Sequence, residues 1–156
     1  MATAKALIEI GSGYWNIRGH FNIVLGLVDI GNKQLNLRSY YRIGTHMSIA
    51  RLSSGKYLVI DTIPLNEQIK SEIDELTENG SKIEAVVATH PFHTLSFPAF
   101  YKAYPNVPYY GTPRHLRNFP DIPWAGDLNE CSTRNKWRPE IEMSIPEGTL
   151  DITIHY

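Results

Sequence analysis

The stretch GKYLVIDTIPLNEQIKSEIDELTENGSKIEAVVATH, residues 55–90, decides the fold. Four aliphatic residues in its middle are spaced by four, four and three positions and predict one face of an α-helix: Leu65, Ile69, Ile73 and Leu76. Pro64 stands near the expected start of this helix, and Gly80 stands at its expected end. Apolar runs at 57–60 and 83–88 flank it, so the stretch predicts two parallel strands joined by a right-handed helical crossover.

The residues before this unit favour strands and turns. Runs rich in apolar and β-branched residues predict strands at 6–10, 21–30, 35–43, 47–52 and 57–60. Gly31-Asn32 predicts a turn, and residues 53–56 predict a hairpin loop with Gly55 at its special position. We therefore expect the N-terminal third to be an antiparallel meander.

The residues after the unit carry weaker patterns. They predict a short helix at 96–104, a strand at 107–110 and a helical turn at 113–118. The segment from Pro120 to Glu140 mixes prolines with scattered charges, and we expect it to be mostly irregular and pinned by its tryptophans, Trp124 and Trp137. The final stretch LDITIHY, residues 150–156, predicts a strand.

This order of elements resembles the N-terminal half of the metallo-β-lactamase fold. In that fold an apolar strand leads into an Asp-Thr step, here Ile60-Asp61-Thr62, and one helix later another strand ends in Thr-His, here Thr89-His90. The stretches THMSIARLSSG (45–55) and AYPNVPYYGTPR (103–114) resemble a poorly characterised branch of that superfamily.

The resemblance covers about residues 15–118. It implies a fold of the α+β or α/β class, the αββα sandwich, which is usually built from two such halves. We expect the N-terminal half of that sandwich with an abbreviated or incomplete second half, in a single domain of residues 1–156.

The catalytic branches of the superfamily carry the motif H-x-H-x-D-H after the second parallel strand. The resemblance implies that these side chains help to hold two metal ions, with an activated water between them. His90 stands at the first position of the motif, but Phe92, Thr94 and Leu95 stand where the other three ligands would be. The resemblance therefore implies a degenerate motif and argues against a two-metal hydrolase of the usual kind.

A single metal ion could still be held by other histidines. His93 follows His90 at a helical spacing, and His115 follows strand 107–110, whose carboxyl end lies at the same sheet edge if that strand is parallel. Pro91 works against a simple helical pair, because the residue before a proline is biased toward extended backbone. Two alternatives stay open for the three histidines: a site for zinc or another divalent transition metal, and loop residues hydrogen-bonded within the chain, which we favour.

Further residues are candidates for the same region. The resemblance implies that Asp61 fixes the loops by accepting hydrogen bonds around Thr89-His90, and that it orients the site if the protein is catalytic. His46 and Arg114 are candidate binding residues. Arg114, Arg117 and Lys102 could form a basic lip for an anionic ligand, although three scattered cations more often belong to a solvated surface. His155, at the end of the last predicted strand, is a candidate for a further metal ligand.

Three functional hypotheses follow. The favoured one is a non-catalytic binding or scaffold module that uses no cofactor and whose small-molecule ligand the sequence does not name. The second is a metal-dependent hydrolase with an atypical single-metal site around His90, His93 and His115. The third is that half of a sandwich leaves an apolar sheet face exposed, which a homo-oligomer or another protein partner would cover.

Composition excludes several other classes. The formal net charge is −1, whereas a nucleic-acid binder held by phosphate contacts is normally basic. Cys131 is the single cysteine, so the chain can form neither an intrachain disulfide nor a multi-cysteine metal cluster. The N-terminal apolar stretch is too short for a signal sequence or a membrane span. We therefore expect a soluble, cytoplasmic protein with no nucleic-acid or membrane partner.

Overall fold

The computed structural model describes residues 5–25, 28–30, 33–35 and 39–146 and, outside positions 20–43, their side chains. The predicted strand at 150–156 and the candidate ligand His155 lie outside the described residues. Among the residues it does describe, no helix is both long enough and apolar enough to cross a membrane.

The first half of the chain is built from strands, as the sequence predicts. These strands, in chain order, are β1 (Ile8–Gly11), β2 (Tyr14–Leu25), β3 (Val28–Ile30), β4 (Lys33–Leu35), β5 (Ser39–Arg51) and β6 (Tyr57–Ile60). The second half alternates helices and strands. Its elements are α1 (Glu67–Thr77), β7 (Ile83–Val87), α2 (Phe97–Ala103), β8 (Tyr109–Gly111), α3 (Pro113–Asn118), β9 (Trp124–Asp127) and α4 (Cys131–Arg134).

One mixed sheet organises the molecule. Its seven strands run in the order β1-β2-β5-β6-β7-β8-β9, and β3 pairs with β4 in a separate small ribbon. Pairing is antiparallel from β1 to β6 and parallel from β6 to β9. The strand-helix-strand unit predicted from residues 55–90 is therefore confirmed, since β6 and β7 are parallel neighbours joined through α1.

Helix α1 has well-defined ends. It begins later than Pro64 suggested, because the Asn66 side chain caps it by accepting a hydrogen bond from the Ile69 backbone N–H at 2.8 Å. It ends before three residues with positive φ, the last of which is Gly80 at 81°. A Cβ at Gly80 would approach Tyr104 Cδ1 to 2.7 Å, so both backbone conformation and close packing require glycine there.

Three predictions about these segments were wrong. The single strand predicted at 21–30 is divided, since residues 21–25 end β2 in the large sheet and Val28–Ile30 form β3 in the small ribbon. The predicted strands 35–43 and 47–52 belong largely to one long strand, β5, which passes through Gly44 without a break because it pairs with β2 along most of its length. The segment from Pro120 to Glu140 is less irregular than predicted, since it contributes β9 to the sheet and also forms α4.

Both faces of the sheet are covered over β6, β7 and β8. One face packs against α1 and α2 and buries the larger cluster, which includes Met47, Ile73 and Phe97. On the other face Leu58 and Val87 are buried under the chain's own Leu128 and Trp137. The exposed apolar sheet face expected from the sequence is thus filled over β6, β7 and β8 by residues that follow β9.

Candidate functional site

The parallel strands bring the candidate residues to one edge of the sheet. Asp61 directly follows β6, Thr89 and His90 follow β7, and His115 lies in α3 just after β8. The carboxyl ends of parallel strands meet at the same edge, which is where open α/β sheets bind ligands. The predicted placement of His90 and His115 at a common edge is therefore confirmed.

Asp61 ties the ends of β6 and β7 together. Its carboxylate accepts one hydrogen bond from the Thr89 backbone N–H at 2.8 Å and a second from Thr89 Oγ1 at 2.7 Å. The residue is buried and has a φ of 58°, which is uncommon for a residue other than glycine. The predicted hydrogen bonding around Thr89-His90 is confirmed, and the proposed role of Asp61 in a reaction stays a prediction.

His93 lies between Asp61 and Thr45. Its Nε2 is hydrogen-bonded to Thr45 Oγ1 at 2.6 Å, and its Nδ1 is 3.8 Å from Asp61 Oδ2. Its backbone N–H donates to the His90 carbonyl at 2.9 Å, which closes a tight turn around Pro91. The imidazole is therefore held by a hydrogen bond to Thr45 on one side and lies near the Asp61 carboxylate on the other.

His115 is a core residue that supports the loop of His93. It has no exposed surface, and its ring packs edge-on against Phe97 with the ring centroids 5.1 Å apart. Its Nδ1 bonds Thr112 Oγ1 at 2.8 Å, and its Nε2 lies 3.3 Å from the His93 carbonyl oxygen. Burial lowers the pKa of His115 despite the opposing hydrogen bond to His93, so the imidazole is neutral near pH 7.

Of the other candidates, His90 and His46 are exposed and Arg114 is half-buried. His90 is exposed, and its Nδ1 accepts a weak hydrogen bond from the Phe92 backbone N–H at 3.3 Å. The Arg114 guanidinium stacks over the Phe92 ring at 4.8 Å from its centroid. His46 is an exposed residue of β5. No described contact joins His46 to Arg114, so the structure does not bring these two predicted binding residues together.

A small cleft opens beside His93. It holds about 140 Å³ and is lined by Thr45, Pro64, Phe92, His93, Thr94, Leu95, Ser96 and Ala99. Phe92 and Leu95, which both line the cleft, are 49% and 70% exposed. Sequence reasoning did not identify Thr45, Ser96 or Ala99, because no motif surrounds them and the contact between Thr45 and His93 spans 48 positions.

The residues at this edge do not fit a metal ion in the arrangement described. A zinc site needs three or four nitrogen, oxygen or sulfur donors that converge at about 2.0–2.3 Å. Within the described part of the chain, no group of three or more His, Cys, Asp or Glu side chains could hold a metal. The structure brings His93 and His115 together, but both His115 nitrogens face partners within the chain and His90 does not complete a group of three.

Comparison with solved structures agrees with this architecture. The chain superimposes on the DIM-1 metallo-β-lactamase with a TM-score of 0.51 and 11% identity, covering 78% of this chain and 50% of that one. It superimposes on VMB-1 with a TM-score of 0.50 and 14% identity, covering 83% of this chain and 54% of that one. The chain thus spans about half the length of the proteins it matches. No protein-family model and no curated protein matches it.

The described residues therefore have a metallo-β-lactamase-like fold. More particularly, the described residues form the N-terminal half of that fold, with its motif reduced to His90 among the positions that the resemblance assigns to ligands. Both statements agree with the fold class expected from residues 55–90.

Proposed function

We propose that this chain is a binding module whose cleft takes a small, mostly apolar group in place of the two metal ions. One observation carries the proposal. Phe92, Thr94 and Leu95, which stand where the resemblance expects metal ligands, all line one cleft. The side chains that would have held metal are thus replaced by side chains that suit an apolar ligand, and in this proposal binding needs no cofactor.

The dimensions of the cleft limit the ligand. An engineered apolar cavity of about 150 Å³ in another protein binds benzene, and the cleft here holds about 140 Å³. Its walls are mainly the apolar side chains of Pro64, Phe92, Leu95 and Ala99, with hydroxyl groups and one imidazole among them. A ligand of this site would therefore present a compact aryl or branched alkyl group with one polar substituent.

A binding titration with 4-fluorophenol tests this proposal. The change in its ¹⁹F chemical shift is expected to saturate with a Kd on the order of 1 mM, the affinity suited to a ligand with so few atoms. Leu95→Ser removes an apolar wall of the cleft and is expected to raise that Kd roughly five- to thirtyfold.

Ile10→Ser is the matched control for this titration. Ile10 is an aliphatic residue of β1 that is 61% exposed, similar to Leu95, but it does not line the cleft. Its substitution is expected to leave the Kd unchanged. A wild-type protein that shows no saturable shift, or an equal loss of affinity in both variants, would contradict the proposed cleft.

The alternative function is a metal-dependent hydrolase with a single-metal site at His90, His93 and His115. It is supported by the closeness of His115 to the His93 loop and by Asp61 lying 3.8 Å from the His93 ring. A move of His90 toward this pair would be needed to complete a ligand set. If formed, the site would hold zinc or another divalent transition metal, which would activate water for hydrolysis.

Elemental analysis separates the two functions. After incubation with excess zinc and removal of free metal, we expect well below one metal ion per chain, because one ring nitrogen of His93 and both ring nitrogens of His115 are hydrogen-bonded within the chain. Stoichiometric zinc, iron or manganese that is lost in His90→Ala but kept in His46→Ala would establish the metal site instead. His46 is a suitable control because it is an exposed histidine outside the three.

We also propose that a second copy of the chain or another protein binds a smaller surface than the sequence suggested. Since residues after β9 cover the sheet over β6 to β8, the exposed isoleucines of edge strand β1, Ile8 and Ile10, are the described apolar residues where such a partner would bind. The cytoplasmic location expected from the sequence stays a prediction.

A further inference from the structure

Three side chains in and beside the cleft form a row that the proposed binding role does not require. The Thr45 hydroxyl bonds His93 Nε2 at 2.6 Å, and the Asp61 carboxylate stands 3.8 Å from His93 Nδ1 on the far side of the ring. Thr45 and His93 both line the cleft, so a bound ligand would lie beside this pair.

This order of groups is the one that nucleophilic catalysis needs. A hydroxyl is a weak nucleophile until a neighbouring base takes its proton, and the base works best when a third group fixes its tautomer. A carboxylate beside Nδ1 favours the proton on that nitrogen, which leaves Nε2 free to accept from Thr45. The contact of 3.8 Å is longer than a hydrogen bond, and such contacts commonly tighten when substrate binds.

Asp61 is itself held in position for this task. Its carboxylate accepts hydrogen bonds from the backbone N–H and the hydroxyl of Thr89, and Asp61 is buried at the end of β6. The group that would orient His93 is therefore fixed independently of His93.

We propose that Thr45 is a nucleophile activated by His93, and that the cleft transfers the acyl group of a small carboxylic ester to the Thr45 hydroxyl without a metal. This inference rests on the proposed binding cleft and adds chemistry to it. Asp61 is a positioning residue in this reaction, because it acts through His93.

The reaction proceeds in two balanced halves. Thr45 Oγ1 bonds to the ester carbonyl carbon while its proton passes to His93 Nε2, and the carbonyl electron pair moves to oxygen. When that pair returns, the bond to the alcohol oxygen breaks, and the leaving alcohol takes the proton from His93. Water then attacks the acyl-threonine with His93 again as base, which releases the acid and restores Thr45.

The lining of the cleft selects the substrate class. Its volume suits an ester of a short acid with a compact aryl or alkyl group, held by the apolar walls. The hydroxyl groups of Thr94 and Ser96 line the same cleft and are the available side-chain donors for the negative oxygen of the intermediate.

Incubation with p-nitrophenyl acetate tests the inference. We expect a burst of p-nitrophenolate of up to one equivalent, with the acetyl group mapped to Thr45 by mass spectrometry of proteolytic peptides. Thr45→Val keeps the shape of the side chain but removes the hydroxyl, and it is expected to slow the burst at least about tenfold, whereas Thr45→Ser is expected to retain it.

Cys131→Ser serves as the control for this experiment, because an exposed thiol also takes acetyl groups from activated esters. It removes the single cysteine of the chain, which lies outside the cleft, and it is expected to leave the acetylation of Thr45 unchanged. A wild-type protein that binds 4-fluorophenol but carries no acetyl group on Thr45 would overturn the nucleophile and leave the binding module standing. Failure of both experiments would overturn both proposals.

Asp61→Asn tests the positioning role. The rate of Thr45 acetylation is expected to fall by a factor about ten times larger than the factor by which the affinity for 4-fluorophenol falls. The reason is that the change acts on the orientation of His93. A purely structural role for Asp61 would lower acetylation and binding together, and that result would remove Asp61 from the reaction.

Discussion

Replacing Phe97 by alanine is expected to lower the free energy of unfolding by about 3–5 kcal/mol, the usual cost of removing a fully buried aromatic ring. Phe97 begins α2 immediately after the His93 loop and has no exposed surface. Its ring contacts His115 and Trp124, with centroids 5.1 and 6.1 Å away. The loss would be a large share of a total stability of about 5–15 kcal/mol.

Phe92→Ala is the matched control for this prediction, because it removes the same side chain from an exposed position of the neighbouring loop. Its expected cost is below about 1 kcal/mol, since nearly half of the Phe92 side chain is already in water. Guanidinium unfolding followed by circular dichroism measures both values. Equal costs in the two variants would contradict the placement of Phe97 in the core beneath the site.

The part of the fold that the sequence predicts is the part with strong local patterns. The spacing of Ile69, Ile73 and Leu76 fits one face of a helix, and the apolar run at 85–88 fits a strand covered on both faces. A helix that packs on a core needs an apolar residue at each turn, and a strand covered on both faces needs apolar residues at successive positions, so each pattern identifies its element. The strand-helix-strand unit and its parallel pairing therefore follow from residues 55–90 alone.

The wrong predictions concern segments whose structure is set by pairing with a strand distant in the sequence and not by their own local sequence. Gly44-Thr45 looks like a break between two strands. Strand β5 nevertheless continues through it, because β2 pairs with β5 both before and after Gly44. Strand β9 is short and contains Gly126, and its pairing with β8 is what makes it a strand. Neither partner is visible in the local sequence.

The same limit applies to the site. The position of His90 at the end of a buried strand was predictable from the run before it, and the role of Asp61 as an acceptor around Thr89-His90 was implied by the resemblance to the metallo-β-lactamase fold. The meeting of Thr45 with His93 was not, because it depends on the register of β5 against β2 and β6. Once β5 is taken as a continuous strand, its Thr45 side chain lies beside the loop that carries His93.

Asp61→Ala is expected to lower the free energy of unfolding by about 2–4 kcal/mol. The substitution removes both acceptors of Thr89 and so releases the link between the ends of β6 and β7. Hydrogen bonds to a charged group contribute about 1.5–3 kcal/mol each, and partial exposure of Thr89 reduces that range here. Urea unfolding at neutral pH measures the loss.

Two further substitutions divide this cost between hydrogen bonding and backbone conformation. Asp61→Gly removes the same bonds but adopts a φ of 58° freely, so it is expected to be more stable than Asp61→Ala by about 1 kcal/mol. Asp61→Asn tolerates that φ and keeps one acceptor for the Thr89 N–H, so it is expected to cost only about 1 kcal/mol. If alanine, glycine and asparagine cost the same, neither the bonds to Thr89 nor the backbone at Asp61 would be what holds this edge of the sheet together.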